Sequence, residues 1–188
     1  SMTRTFPIQG KDGGSNPTLT LHAKLLKVER CESSHAVSLV KQWHSRLPNC
    51  KDGGWMIAFR AHHENITYAV ALWSNCSSRI LPQEWMELRR MACAPTAPRF
   101  TASRFLAIMT RQIKKYFPNC PRVISYQDCD VHTGTIYKAA GWERGRYCPA
   151  QNRDRGLIKK GNRLVVYRSS INGEAPDVAA KIRWEKAL

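Results

Sequence analysis

The chain has 188 residues, with 30 Lys+Arg against 14 Asp+Glu and a formal net charge of +16. That length suits one compact domain with a real core and excludes two comfortable ones, and no apolar run approaches the roughly 18 residues needed to span a bilayer. An excess of positive charge this large opposes compaction and attracts polyanions, nucleic acid first and acidic cofactors such as nucleotides or coenzyme A next.

Residues 1–17 include Gly-Lys-Asp-Gly-Gly-Ser-Asn-Pro and little that is apolar, so a flexible arm is expected. Ser1-Met2 looks like a cloning remnant, and the natural chain is expected to start at Met2. A soluble protein of the cytoplasm is expected. The seven cysteines fit that, since none forms a C-x-x-C pair that would signal a zinc knuckle or a redox couple.

LTLHAKLLKVE (19–29) predicts a first strand, and Ser33 or Ser34 can cap a helix over HAVSLVKQWH, with Val37, Leu39, Val40 and Trp43 on its buried side. RLPNCKDGG breaks that helix. WMIAFRA and ITYAVALWS flank the polar stretch His62-His63-Glu64-Asn65, a hairpin signal in which both histidines read as turn residues. WMELRRMACA alternates like a strand and ends at Pro95 and Pro98.

TASRFLAIMTRQIKKYF gives the clearest helix, with Thr101 as candidate N-cap and Phe105, Ile108, Met109 and Ile113 at helical spacing. Arg104, Arg111 and Lys115 share its other side, where a solvated face is the ordinary reading. RVISYQ is a short strand. The polar segment DCDVHTGTIYKAAGW follows, with a helix over its second half that Gly141 stops. WERGRYCPA, GLIKK and RLVVYR add strands, with Gly161-Asn162 as a tight turn, and PDVAAKIRWEKAL predicts a terminal helix. The expected division is an arm over 1–17, a catalytic domain over 18–170 and a tail or helix over 171–188. The fold class is α/β (α+β) with one central mixed sheet flanked by helices.

Asp128 sits just past a predicted strand end, where ligands collect in open α/β sheets. A helix cap or turn carboxylate is the competing reading, and Asp130 is the better cap. Asp128 and His132 are spaced Asp-x-x-x-His and can offer an oxygen and a nitrogen to one metal. His44 at a helix C-terminus suits the helix dipole without any chemistry. The flank Arg144, Arg146, Arg153, Arg155, Lys159, Lys160, Arg163 and Arg168 is the candidate phosphate-contact surface for a nucleic acid.

WHSRLP (43–48), WMELRRMACAP (85–95), RFTASRFL (99–106) and SYQDCDVHTGTIYKAAGW (125–142) occur in an order that resembles the phage Mom-type DNA-modification proteins. These form a divergent branch of the GNAT acyltransferase superfamily. The resemblance implies a GNAT-like domain that transfers a methylcarbamoyl (acetamido) group to N6 of adenine in DNA and shields phage DNA from host restriction. It also implies dependence on iron and an acetyl-coenzyme A-derived donor. His44 matches the family's Trp-His motif, which implies a third metal ligand beside Asp128 and His132, and Arg90 and Ser103 match its strand and helix positions. HTGTIYKAAGWERGR resembles the late helix of the GNAT fold, which implies Ile136 packed inward and Tyr137 facing a central cleft as the general acid of many GNAT enzymes does. Ordinary GNAT enzymes hold the donor's pyrophosphate with a Gly-rich loop. APTAPRFTASRF has no glycine, and Arg99, Thr101, Ser103 and Arg104 are the side chains placed to substitute for it. Two other functions fit the same residues: a conventional acetyl-CoA-dependent N-acetyltransferase acting on a protein or small amine, and a catalytically idle basic DNA-binding module.

Overall fold

In the computed structural model the described residues are 5–7, 18–44, 50–129, 134–150, 157–160, 163–166 and 179–188. In chain order they form β1 (Thr5–Pro7), β2 (Thr18–Thr20), a 3-10 turn (Ala23–Leu25), β3 (Lys27–Arg30), α1 (Ser33–Trp43), β4 (Ile57–His63), β5 (Ile66–Asn75) and β6 (Met86–Cys93). Then come α2 (Thr101–Tyr116), β7 (Arg122–Asp128), α3 (Thr135–Ala139), β8 (Glu143–Cys148), β9 (Leu157–Lys160), β10 (Arg163–Val166) and β11 (Lys181–Ala187). Seven of the strands make one mixed sheet in the order β3-β4-β5-β6-β7-β11-β8. Every neighbouring pair in it is antiparallel except β6 with β7.

The two faces of the sheet are covered by different helices. Ala36, Val37 and Val40 of α1 pack on Ala58, Val70, Leu72 and Ala92. On the other face Phe105, Leu106, Met109 and Ile113 of α2 cover Phe59, Ala71, Trp73, Met86, Leu88 and Val123, and Tyr137 of α3 joins them. Burial on both sides explains why β5 is buried without a break from Tyr68 to Ser74, where a half-buried strand would alternate. The β4–β5 hairpin turns on Glu64 and Asn65, both at positive φ (48° and 62°), as a tight turn matched to strand twist requires.

Several expectations need correction. The first strand is split: the chain leaves β2 at Thr20, makes the 3-10 turn and resumes as β3, because Leu21, Ala23 and Leu26 are buried at a spacing a strand cannot give. Within the expected arm, Thr5–Pro7 pairs with Thr18–Thr20. Glu32 occupies the N-cap of α1 in place of a serine, with no side-chain cap hydrogen bond. His62 and His63 are the last residues of β4, not turn residues, and His62 Nε2 lies 3.2 Å from Glu29 Oε1. Lys160 pairs with Arg163, as the hairpin reading requires, although Gly161 and Asn162 lie outside the described residues.

The largest correction is at the C-terminus. The segment predicted as a helix is β11, which pairs with β7 along all seven of its residues and with β8 on its other side. Its Trp184 is 2% exposed, and its Ile182 packs partly buried against the same core. Trp184 stacks on Tyr137 at 5.5 Å between ring centres, and its Nε1–H donates to Gln127 Oε1 at 2.7 Å. Helix-forming Ala, Lys and Glu residues are overridden here by two ladders of backbone bonds and one buried indole. Gly134 marks how closely this region is packed, because a Cβ there would stand 2.6 Å from Gln127 Oε1 and 2.7 Å from the Trp184 ring. Trp184→Ala is therefore expected to cost about 3–5 kcal/mol in urea unfolding. A loss below about 1 kcal/mol would show that β11 does not hold the sheet together.

Candidate active site

The site is defined by where the parallel pair parts. β6 and β7 pair only at Met86↔Val123, Glu87↔Ile124 and Leu88↔Ser125. Beyond these, β6 stays with β5 and β7 stays with β11, so a notch opens between their C-terminal halves. At the same point β6 carries a bulge: Trp73 pairs with Leu88 and Leu72 with Arg90, which leaves Arg89 as the extra residue. The bulge reverses the strand's facing. Leu88 lies in the core under α2, whereas Arg90 sits opposite Leu72, on the face covered by α1.

Arg90 is half-buried, and burial holds its guanidinium below the usual arginine range, with the neighbouring Cys50 thiol acting the other way. Its Nη1 donates to Arg89 O at 2.8 Å, and its Nε is buried without a hydrogen-bond partner among the described residues. Arg89 donates from Nε to Glu87 Oε2 at 2.9 Å, and Glu87 also accepts from the Ser77 amide and hydroxyl. One cation of the pair is thus neutralised, while the other is left with donors to spare.

Asp128 ends β7 on the opposite arm of the notch. Ser125 and Gln127 bond to Tyr137 and Trp184 on the α2 side, so period-two alternation puts Tyr126 and Asp128 on the face of α1. His44 is the C-cap residue of α1, its amide donating to Val40 O at 2.8 Å. Lys41 pairs with Asp52 at 3.0 Å, and both groups lie close enough to perturb Cys50, as does Arg90. The end of α1 therefore lies over the Arg90 arm. His44, Arg90 and Asp128 share one face of the sheet around the notch.

Tyr137 is on the other face, and here the cleft-facing expectation is corrected. Its ring is buried among Trp184, Trp142 and the α2 core, and its hydroxyl lies 2.9 Å from Ser125 Oγ. Burial raises its pKa and the Ser125 hydrogen bond partly offsets that. The phenol closes the core beneath the notch. Ile136, expected inward, is only partly buried.

On Tyr137's side, at the start of α2, lies a cavity of about 550 Å³. Arg99, Ser103 and Arg104 line it as expected, and so do Lys24, Phe100 and Arg111. Thr101 does not: it is buried, with its hydroxyl donating to Pro98 O at 2.6 Å. The N-cap is Phe100, held in the left-handed region at φ 69°. That conformation costs a side-chain-bearing residue about 1–2 kcal/mol. Ser103 Oγ donates to Phe100 O at 3.2 Å, and Arg104 Nη2 donates to Lys24 O at 3.2 Å. Lys24 and Phe100 escaped the sequence reading because no pattern marks a 3-10 turn returning to a helix start. Arg111 was visible, but as a solvated residue.

The iron expectation does not fit the described residues. Among them no group of three His, Cys, Asp or Glu side chains can hold a metal. His44 and Asp128 supply two ligands at most, and His132 lies outside the described residues together with Asp130. Of the DNA-contact candidates, Arg144 and Arg146 are exposed on the edge strand β8. Lys159, Lys160 and Arg163 belong to β9 and β10, while Arg153, Arg155 and Arg168 lie outside the described residues.

A seven-stranded mixed sheet whose one parallel pair parts over a notch is the fold of the GNAT acetyltransferases. A Bacillus subtilis acetyltransferase in complex with CoA superposes with TM-score 0.55 at 11% identity, over 87% of this chain and 99% of that one. The ribosomal-protein-S18-alanine N-acetyltransferase from Escherichia coli gives 0.56 at 11%, over 87% and 94%. An acetyltransferase of GNAT family from Streptococcus pneumoniae gives 0.53 at 10%, over 87% and 99%. No curated protein sequence matches the chain. The sequence pattern of the Mom protein family does match, over residues 25–160, and the chain belongs to that family.

The buried hydroxyl pair permits a direct test of Tyr137's structural part. Ser125→Ala strands the phenol and is expected to cost about 1–3 kcal/mol. Adding Tyr137→Phe should recover most of that loss in chemical denaturation. Additive losses would mean that the two hydroxyls are not coupled.

Proposed function

We propose that this protein is a phage DNA-modifying transferase that places a methylcarbamoyl (acetamido) group on N6 of adenine in double-stranded DNA, shielding that DNA from restriction in the host cytoplasm. The observation that carries this reading is the match to the Mom protein family over residues 25–160, a span that contains His44, Arg90, Ser103, Asp128 and Tyr137. The acetyltransferase fold supports an acyl-CoA-type donor, for which the basic cavity beside α2 is the candidate site.

The chemistry sets what the site must do. The N6 lone pair of adenine is delocalised into the ring, so the amine is a weak nucleophile. Attack on the donor carbon forms a C–N bond as the bond from that carbon to the leaving group breaks, and N6 gives up a proton. Asp128 at the open edge of β7 is the base in this scheme, and His44 over the facing arm is its partner in proton handling. Arg90 has free donor capacity for an oxygen of the donor group. The base has to leave the stack to reach a notch between strands, so flipping is required. Arg144 and Arg146 on the exposed edge strand suit phosphate contacts.

The test is to express the protein in bacteria, digest total DNA to nucleosides and analyse them by mass spectrometry. A heavier deoxyadenosine derivative is expected. Asp128→Asn should lower its yield by at least about 100-fold with no change in melting temperature. Unmodified deoxyadenosine with soluble wild-type protein defeats the proposal, and acetylation of a peptide amine in its place supports a conventional N-acetyltransferase. Restriction protection that survives in Asp128→Asn points to a DNA-binding module without catalysis.

A further inference from the structure

The face of the sheet that Asp128 occupies carries one further group that the transfer scheme does not use. Tyr126 stands two residues before Asp128 on β7, so the two point to the same side, about 7 Å apart along the strand. The apolar side of α1 rests on β4, β5 and β6, and no residue of β7 joins that cluster. The Tyr126 ring is half-buried, and among the described residues no aromatic ring stacks on it and no cation lies over it. That sets it apart from Tyr137, whose ring is already stacked on Trp184.

Three strands hold the phenol in place. Tyr126 pairs with Arg183 of β11. Burial raises the phenol's pKa, and the Arg183 guanidinium beside its hydroxyl lowers it. Arg183 in turn directs Nε and Nη2 to Glu185 Oε2, both at 3.4 Å, and Glu185 Oε1 lies 3.6 Å from Arg122 Nη1. β8 makes room for that carboxylate. Its ladder with β11 carries a bulge in which Gly145 and Arg146 face Arg183 alone. A Cβ at Gly145 would collide with Glu185 Oε2 and stand 2.8 Å from Arg183 O. A glycine and a bulge two strands away thus help to fix a ring beside the candidate base.

A nucleobase that leaves the duplex loses its stacking partners, and an aromatic ring in the site restores one of them. We propose that Tyr126 is that ring: the flipped adenine lies against the phenol, with its N6 edge toward Asp128. This rests on the DNA-modification reading above and adds the residue that holds the base. Arg183 and Glu185 are positioning residues in this scheme, since they fix the ring and touch no substrate.

The test compares Tyr126→Phe with Tyr126→Leu, which both lack the hydroxyl and differ by the ring. Each is expressed in bacteria beside wild type, and deoxyadenosine modification is read by mass spectrometry of digested DNA. Tyr126→Phe should stay within about twofold of wild type, and Tyr126→Leu should fall roughly tenfold or more. The two variants should melt at similar temperatures. Both should bind a mixed-sequence duplex as wild type does in fluorescence anisotropy, because that binding comes from phosphate contacts. Wild-type yield in Tyr126→Leu overturns the platform and leaves the reading of function standing, whereas unmodified DNA with soluble wild type overturns both. An equal loss in Tyr126→Phe would assign the role to the hydroxyl. Melting of Tyr126→Leu far below Tyr126→Phe would make the ring a packing residue, and duplex binding that weakens in step with yield would make it a backbone contact. Each of these three results overturns the assignment.

Discussion

One extra residue in β6 decides which face of the sheet Arg90 occupies, at the point where β6 parts from β7. Without the bulge at Arg89, strand alternation would turn Arg90 into the apolar layer under α2, among Leu88, Trp73 and Met109. With it, Arg90 faces α1, and the bulge coincides with the last paired position of β6 and β7, Leu88↔Ser125. Twist increases locally at a bulge and the ladder is disrupted. The same irregularity thus frees β6 from its parallel partner and turns Arg90 to the α1 side beside the gap this creates. Parallel pairing is also the less stable kind per residue, which makes this junction the place in the sheet where parting costs least.

A strand that gives up one neighbour needs another. β7 is held on its far side by β11 along its whole length, so its backbone groups stay paired on that side after it leaves β6. Behind β7 the aromatic block of Tyr137, Trp142 and Trp184, tied by Ser125 and Gln127, fixes the strand from the α2 side. Asp128, one residue beyond Gln127, is therefore carried by a rigid arm even though it lies at its end. Tyr137 contributes to this by what it packs against and by the hydroxyl it pairs with Ser125.

The parts legible in the sequence were those whose burial is local. α1 and α2 show their apolar faces at helical spacing, and β4 and β5 announce their hairpin. Terminal strand β11 was not legible, because KIRWEKA carries residues that favour helix and acquires its strand conformation only from β7 and β8 on either side. The site was legible as residue types and not as geometry. His44, Arg90 and Asp128 could be named from motifs, but which face each occupies depends on a bulge and on a split ladder that leave no trace in hydropathy. Tyr137 was misplaced for the same reason: an aromatic on a short helix reads alike whether it lines a cleft or fills a core.

Charge distribution follows the same division of faces. Among the described residues four acids are held in ion pairs with lysine or arginine: Glu29 with Arg60, Asp52 with Lys41, Glu87 with Arg89, and Glu185 with Arg122 and Arg183. None of these ion pairs reaches the cations that line the α2 cavity. Four cations, Lys24, Arg99, Arg104 and Arg111, thus line a cavity with no carboxylate in its lining, a self-repulsion that an anionic ligand would relieve. In the proposed reaction both substrates are polyanions. They would approach from opposite faces and meet only through the notch, so the sheet between them keeps their phosphates apart while their reacting ends come into contact. A protein that must bring two such partners together needs cations on both sides and very few carboxylates near either. Under the proposed reaction, that requirement would account for part of the formal charge of +16.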